Sequence, residues 1–253
     1  MESTNDIHIG ILFNAIVCGM VAISAAMLAV FLLYRWQKLT PTMKAYAWFW
    51  VMTTFIWLPL SLRYAISGLG KVGPLFYPLA LLTQIALSMC GPPLIYYLAA
   101  HLRQSRIIVW SLTAVFIIFG AVGIWYDLKP DGLIIVPFTY FSAETTLNAV
   151  SLRLYLGAIS VIFLFLFVDI WVHCVSYYRY RQREVAYETL YSLAIAAYLI
   201  LGSLEVVAFI TDWLVVVFRT LYIGTFLTVF LIIKNYEATS ENYLLEEKTN
   251  PVQ

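Results

Sequence analysis

Long apolar runs separated by short polar stretches dominate this chain. They fall at Ile9–Tyr34 and at 45–62, 75–100, 107–126, 149–175, 189–211 and 213–233, and roughly 20 apolar residues of helix are needed to cross a hydrocarbon core about 30 Å thick. The pattern predicts an all-α integral membrane protein: a seven-transmembrane helix bundle over residues 1–236, then a short acidic tail over 237–253. The sixth and seventh runs are separated by little more than Asp212 but are together too long for one span, which predicts a tight helical hairpin. The first run is too long for a signal-peptide core and has no basic residues before it, so it reads as a retained span. Between the fourth and fifth runs, Gly132 to Phe141 (GLIIVPFTYF) is too short to span and rich in β-branched and aromatic residues. That segment predicts a short extended element or hairpin over one mouth of the bundle.

Composition strengthens this reading. Of 253 residues 62% are hydrophobic and 11% charged, far below the roughly 25% charged of a soluble domain, which excludes soluble enzyme folds. The net charge of +1 does not point to nucleic acid, and none is expected as a partner. Distribution is more informative than the total. Arg35, Lys38, Lys44, Arg103, Arg106, Arg179, Arg181, Arg183, Lys234 and Lys248 fall on one side of the spans, against Arg63, Lys71, Lys129, Arg153 and Arg219 on the other. The richer side is cytoplasmic by the positive-inside rule, so the N-terminus is expected outside, the C-terminus inside, and the protein in a cell membrane (plasma or inner), with the lipid bilayer as its constant partner. Tyr34, Trp36, Tyr46, Trp48, Trp125, Tyr126 and Trp213 sit near span ends, as interfacial aromatic rings do. Cys18, Cys90 and Cys174 lie in apolar runs without CxxC spacing and are expected to be buried apolar groups, not disulfides or zinc ligands.

Ionisable groups inside spans are costly and therefore informative. Glu205 and Arg219 lie seven residues either side of Asp212, so a tight hairpin sets them at one depth, roughly 10 Å below the turn. Facing each other they form an intramembrane ion pair, either fixing helix register or taking part in ligand binding. Arg63 ends the second span and Arg153 begins the fifth. With Arg219 they would form a cationic rim suited to a carboxylate or phosphate, or else snorkel to headgroups. Asp169 and His173 share a helical face near the other end, where His101 also falls. This set suits a local hydrogen bond, pH sensing or a proton relay. A metal or haem cluster of the three is conceivable, but nothing resembles an HExxH motif, the local hydrogen bond is the favoured reading, and no metal or other cofactor is expected. Gly91-Pro92-Pro93 interrupts the third span and frees backbone carbonyls, serving as a hinge or a packing device, with Gln84 two turns earlier as a partner or pocket residue. Asn14, Thr53 and Thr54 have ordinary helix-packing explanations.

An opsin is excluded because the only lysine near the seventh span, Lys234, lies at its end. No nucleophile and base converge as an intramembrane hydrolase requires, so an enzyme is not the expected reading. The segments GPPLIYYLAAHLRQSR (Gly91 to Arg106), YYRYRQREVAYETL (Tyr177 to Leu190) and FLIIKNYE (Phe230 to Glu237) follow one another in an order that resembles the seven-helix N-terminal sensor region of prokaryotic histidine kinases and related signalling proteins. The resemblance implies a receptor or sensor fold and assigns no ligand residue. The family's sensor is normally followed by an output domain and none is expected here, so signalling would pass to a separate cytoplasmic effector, or a sensor-like fold would be put to another use. The expected function is a receptor or sensor-like module for a small or lipophilic ligand, neutral or anionic, bound from outside, with Arg63, Gln84, Arg153, Glu205 and Arg219 as candidate contacts. The alternatives are a small-solute or ion-coupled transporter using Glu205 or Asp169, and a non-catalytic accessory subunit.

Overall fold

The computed structural model describes residues 7–71, 73–180, 183–206 and 212–249. The side chains of 180–188, 191, 206 and 235–249 fall outside the description, and with them the basic stretch before the sixth run and the acidic tail. Among the described residues there are seven α-helices: α1 (Ile9–Tyr34), α2 (Pro41–Gly68), α3 (Phe76–His101), α4 (Arg106–Asp127), α5 (Ala149–Tyr180), α6 (Arg183–Val206) and α7 (Trp213–Thr249), with a two-stranded antiparallel hairpin of β1 (Leu133–Ile135) and β2 (Thr145–Leu147) between α4 and α5. All but α6 are long and apolar enough to cross a membrane; in α6 the apolar stretch is the shorter Ser192–Glu205. The chain is therefore a multi-pass membrane protein.

Helix starts follow local chemistry. Thr40 Oγ1 accepts from Met43 N (3.3 Å) ahead of Pro41, whose missing N–H costs nothing in a first helical turn. Ser105 Oγ accepts from Ile108 N (3.4 Å), and Asn148 Oδ1 accepts from Val150 N and Ser151 N (2.9 Å each). Each helix packs on its chain neighbours, α7 returns to α1, and α3 also touches α5. The result is a closed ring in chain order, with an aromatic centre of Phe49, Trp50, Trp57, Tyr198, Tyr222 and Phe226. Tyr46 belongs to this core rather than to an interfacial belt: it is fully buried and lies 4.8 Å, centroid to centroid, from Tyr97.

Three expectations need correction. The second helix does not end at residue 62; it continues to Gly68, which carries Arg63 into the bundle at 2% exposure. Cys174 is exposed, unlike Cys18 and Cys90, because α5 turns Asp169 and His173 inward and the next residue faces away. The Gly91-Pro92-Pro93 run does not break α3. Pro92 cannot donate to the Ser88 carbonyl, and α4 crosses there through glycine: a Cβ on Gly120 would stand 3.0 Å from Ser88 O, and one on Gly91 3.0 Å from Phe116 Cδ1. The freed carbonyl thus marks a close α3–α4 crossing. Replacing Gly120 with leucine is expected to separate the two helices and lower the melting temperature in detergent, whereas Gly157→Leu, at a position with open space around it, leaves it unchanged.

Candidate functional site

The hairpin is folded down onto the helix ends. Pairing of Leu133 with Leu147 and Ile135 with Thr145 sets Leu133 and Leu147 against Ala80 of α3, and Phe138 stacks near Phe76 (5.9 Å). The connecting segment is tied at both edges: Asn14 Nδ2 donates to Phe141 O (2.6 Å), and Phe141 N donates to Asp212 Oδ1 (3.3 Å). Asp212 adopts φ 55°, a left-handed conformation that Asp tolerates better than most residues. Tyr140 lies directly over Gly10, where a Cβ would overlap its carbonyl oxygen and ring.

Beneath this cap two arginines and two glutamates meet. Arg219 Nε donates to Glu205 Oε1 (3.0 Å), with a second, shorter bond from Nη2 to the same oxygen. Nη2 also donates to Glu144 Oε1 (2.6 Å), and Nη1 to Asn14 Oδ1 (2.9 Å) and Cys18 Sγ (3.2 Å). Arg63 reaches the other oxygen of Glu144 (3.2 Å) and Thr145 Oγ1 (2.9 Å). The Tyr64 hydroxyl donates to Glu144, and that of Tyr222 to Glu205 Oε2 (3.4 Å). Glu144, carried by the hairpin, therefore bridges α2 and α7. Its partial burial disfavours the ionised form, but the guanidinium groups of Arg219 and Arg63, with the Tyr64 hydroxyl, outweigh that and hold its pKa below the usual 4.5.

The sign follows from linkage: a carboxyl depressed in the fold stabilises it fully above 4.5 and loses that contribution as pH falls through the lower folded value. The melting temperature of detergent-purified protein is thus expected to be insensitive to this group from about pH 7 to pH 5 and to fall in more acid solution. Glu144→Gln should flatten that acid limb.

A cavity of about 180 Å³ lies against this cluster. Its wall is mostly apolar (Ile56, Leu60, Leu87, Leu94, Phe116, Ile159), with polar groups from Arg63, Gln84, Glu144, Tyr198 and Glu205.

The candidate residues are therefore only partly assembled. Arg63, Gln84 and Glu205 reach the cavity wall, while Arg219 sits behind it as the partner of both glutamates. Arg153 is exposed on α5 and does not join them. No cationic rim exists, because the hairpin delivers Glu144 between the two arginines and neutralises them.

Comparison with protein-family models, with curated proteins and with solved structures finds no match.

A second cluster occupies the opposite end of the bundle. His101 Nδ1 lies 2.8 Å from Asp169 Oδ1; His173 Nδ1 lies 3.5 Å from that oxygen and 2.8 Å from the Asp169 carbonyl. Ser192 donates to the other carboxylate oxygen. The sequence expectation of a local Asp169–His173 contact is thus modified, since the carboxylate is held chiefly from α3 and α6. Among the described residues these three side chains are the one group whose donors could converge on a metal.

Sequence reasoning missed Glu144 and Tyr64, and took Asn14 for ordinary helix packing. Glu144 lies in a loop, where an acidic residue is unremarkable, and only the fold shows that the loop turns inward. Asn14 carried a usable signal: it is the one amide in the apolar run of α1, and it is fully buried.

Proposed function

We propose that this protein is a receptor or sensor-like module of a cell membrane. It crosses the membrane seven times, with the hairpin and N-terminus outside and the C-terminus in the cytoplasm. A small, largely apolar and uncharged ligand occupies the cavity beneath the hairpin, and the response passes to a separate cytoplasmic partner. Arg35, Lys38, Lys44, Arg103, Arg106 and Arg179 lie toward the end away from the hairpin, which supports this orientation by the positive-inside rule. One observation carries the reading. Glu144 and Glu205 both line the cavity, and both hold Arg219 of α7. A ligand that moves either carboxylate changes what anchors α7, the helix that continues through Thr249 at the far end. Such a ligand shifts the helix arrangement by as much as it prefers one arrangement to the other. An anionic ligand is disfavoured because both arginines already have carboxylate partners.

The test is native mass spectrometry of protein extracted with its own lipids. Wild type is expected to retain a small molecule that Ala158→Phe, which fills the cavity, has lost. Empty wild type, or the same mass on the variant, would overturn the proposal. Counterflow of the retained molecule in proteoliposomes would replace the receptor by a carrier.

A further inference from the structure

We infer that His101, Asp169 and His173 form a binding site for a divalent transition-metal ion at the bundle end opposite the hairpin. This site lies apart from the cavity. One ligand atom from each residue lies within 4.8 Å of the others. An ion bound at about 2.0–2.1 Å to two atoms at tetrahedral angles holds those atoms about 3.3 Å apart, and the two Nδ1 to Oδ1 distances, 2.8 and 3.5 Å, bracket that spacing. The spacing between the two imidazole donors, bounded by 4.8 Å, has to close toward the same value when the ion binds.

The surroundings are those of a ligand set. Asp169 is fully buried, and among the described residues the only groups within ion-pair reach of it that can carry positive charge are the two imidazoles. With both rings neutral the carboxylate lacks a counter-charge, which an ion supplies. Ser192 occupies Oδ2, which orients the carboxylate and leaves Oδ1 for the metal, as supporting hydrogen bonds around metal sites do. The two imidazoles stack at 4.7 Å and Tyr97 stacks on His101 at 5.4 Å, so one ring must turn out of the stack to bring both nitrogen lone pairs onto the ion. Side-chain exposures of 20% for His101 and 12% for His173 leave a route from solvent. Two imidazoles and one carboxylate select zinc, cobalt, nickel or iron over magnesium or calcium, and three protein ligands leave a position for water. Binding through Nδ1 needs each neutral ring as its Nε2–H tautomer, so His173 gives up its Nδ1–H bond to the Asp169 carbonyl, with no net proton release. The ion ties the ends of α3 and α5 together, and Ser192 of α6 supports it.

The experiment is Co²⁺ binding by the full chain, purified without a histidine tag, stripped with chelator, and followed by equilibrium dialysis and visible ligand-field absorption. Wild type is expected to retain one Co²⁺ per chain with ligand-field bands. His173→Gln and Asp169→Asn lose both signals, and Ser192→Ala weakens binding about tenfold or more. The chain has three histidines, so His8→Ala, together with Cys174→Ala at the exposed thiol, serves as the control and retains the ion. No uptake by folded wild type, uptake unaffected by His173→Gln, or loss on the control substitutions would each overturn the assignment.

Discussion

Arg219→Met should destabilise this protein more than any other substitution of the charge cluster. Methionine keeps much of the volume but strands two carboxylates. Arg219 is fully buried and bonds Glu205, Glu144, Asn14 and Cys18 at once, so among the described residues its loss leaves Glu205 with the Tyr222 hydroxyl and Glu144 with Arg63 and Tyr64. Removing one partner from a buried ion pair costs about 3–5 kcal/mol, because the remaining charge stays desolvated. Glu205→Gln costs less, since Arg219 keeps Glu144. A double-mutant cycle on melting in detergent separates the terms, and the pair Arg219→Met with Glu205→Gln is expected to lose less than the sum of its single losses. Equal melting of Arg219→Met and wild type would mean that the cluster contributes nothing to stability.

Gly10→Leu should lift the cap without altering a charge. Tyr140 rests where the leucine side chain would grow, and overpacking of this kind costs about 1–3 kcal/mol. The helix can take leucine readily, so the cap should yield and α1 remain. Ser142, buried under the cap, reports the change. In a Ser142→Cys, Cys174→Ser background, an impermeant maleimide is expected to react about tenfold faster when Gly10→Leu is present, tenfold being what about 1.4 kcal/mol of easier opening gives. Equal rates would show that the cap is not held at Gly10.

Much of the helical frame was legible because hydropathy and span length are properties of single segments. Ile9–Tyr34 agrees with α1 at both ends, and the start at Trp213 agrees with α7. The start of α2 was placed late and its end early, because Lys44 and Arg63 look like boundaries in a hydropathy profile. In the fold Arg63 is inside, paid for by Glu144. The partner came from 81 residues away, and no local pattern encodes such a meeting. Glu205 and Arg219 were different: a turn at Asp212 fixes their relative depth, so two numbers in the sequence suggest the pair. His101 joined Asp169 on depth alone, while the role of Ser192 depended on how α6 rotates against α5, which a weakly amphipathic sequence does not specify.

The bridging role of Arg219 also bears on biogenesis. During synthesis α1 through α6 precede residue 219, so a chain stopped short of it holds Glu144 and Glu205 against Arg63 alone, with Asn14 lacking its guanidinium partner. Charge balance beneath the hairpin arrives with α7. A chain cut before residue 219 therefore leaves two carboxylates sharing one guanidinium, and insertion of α7 is the step that neutralises them.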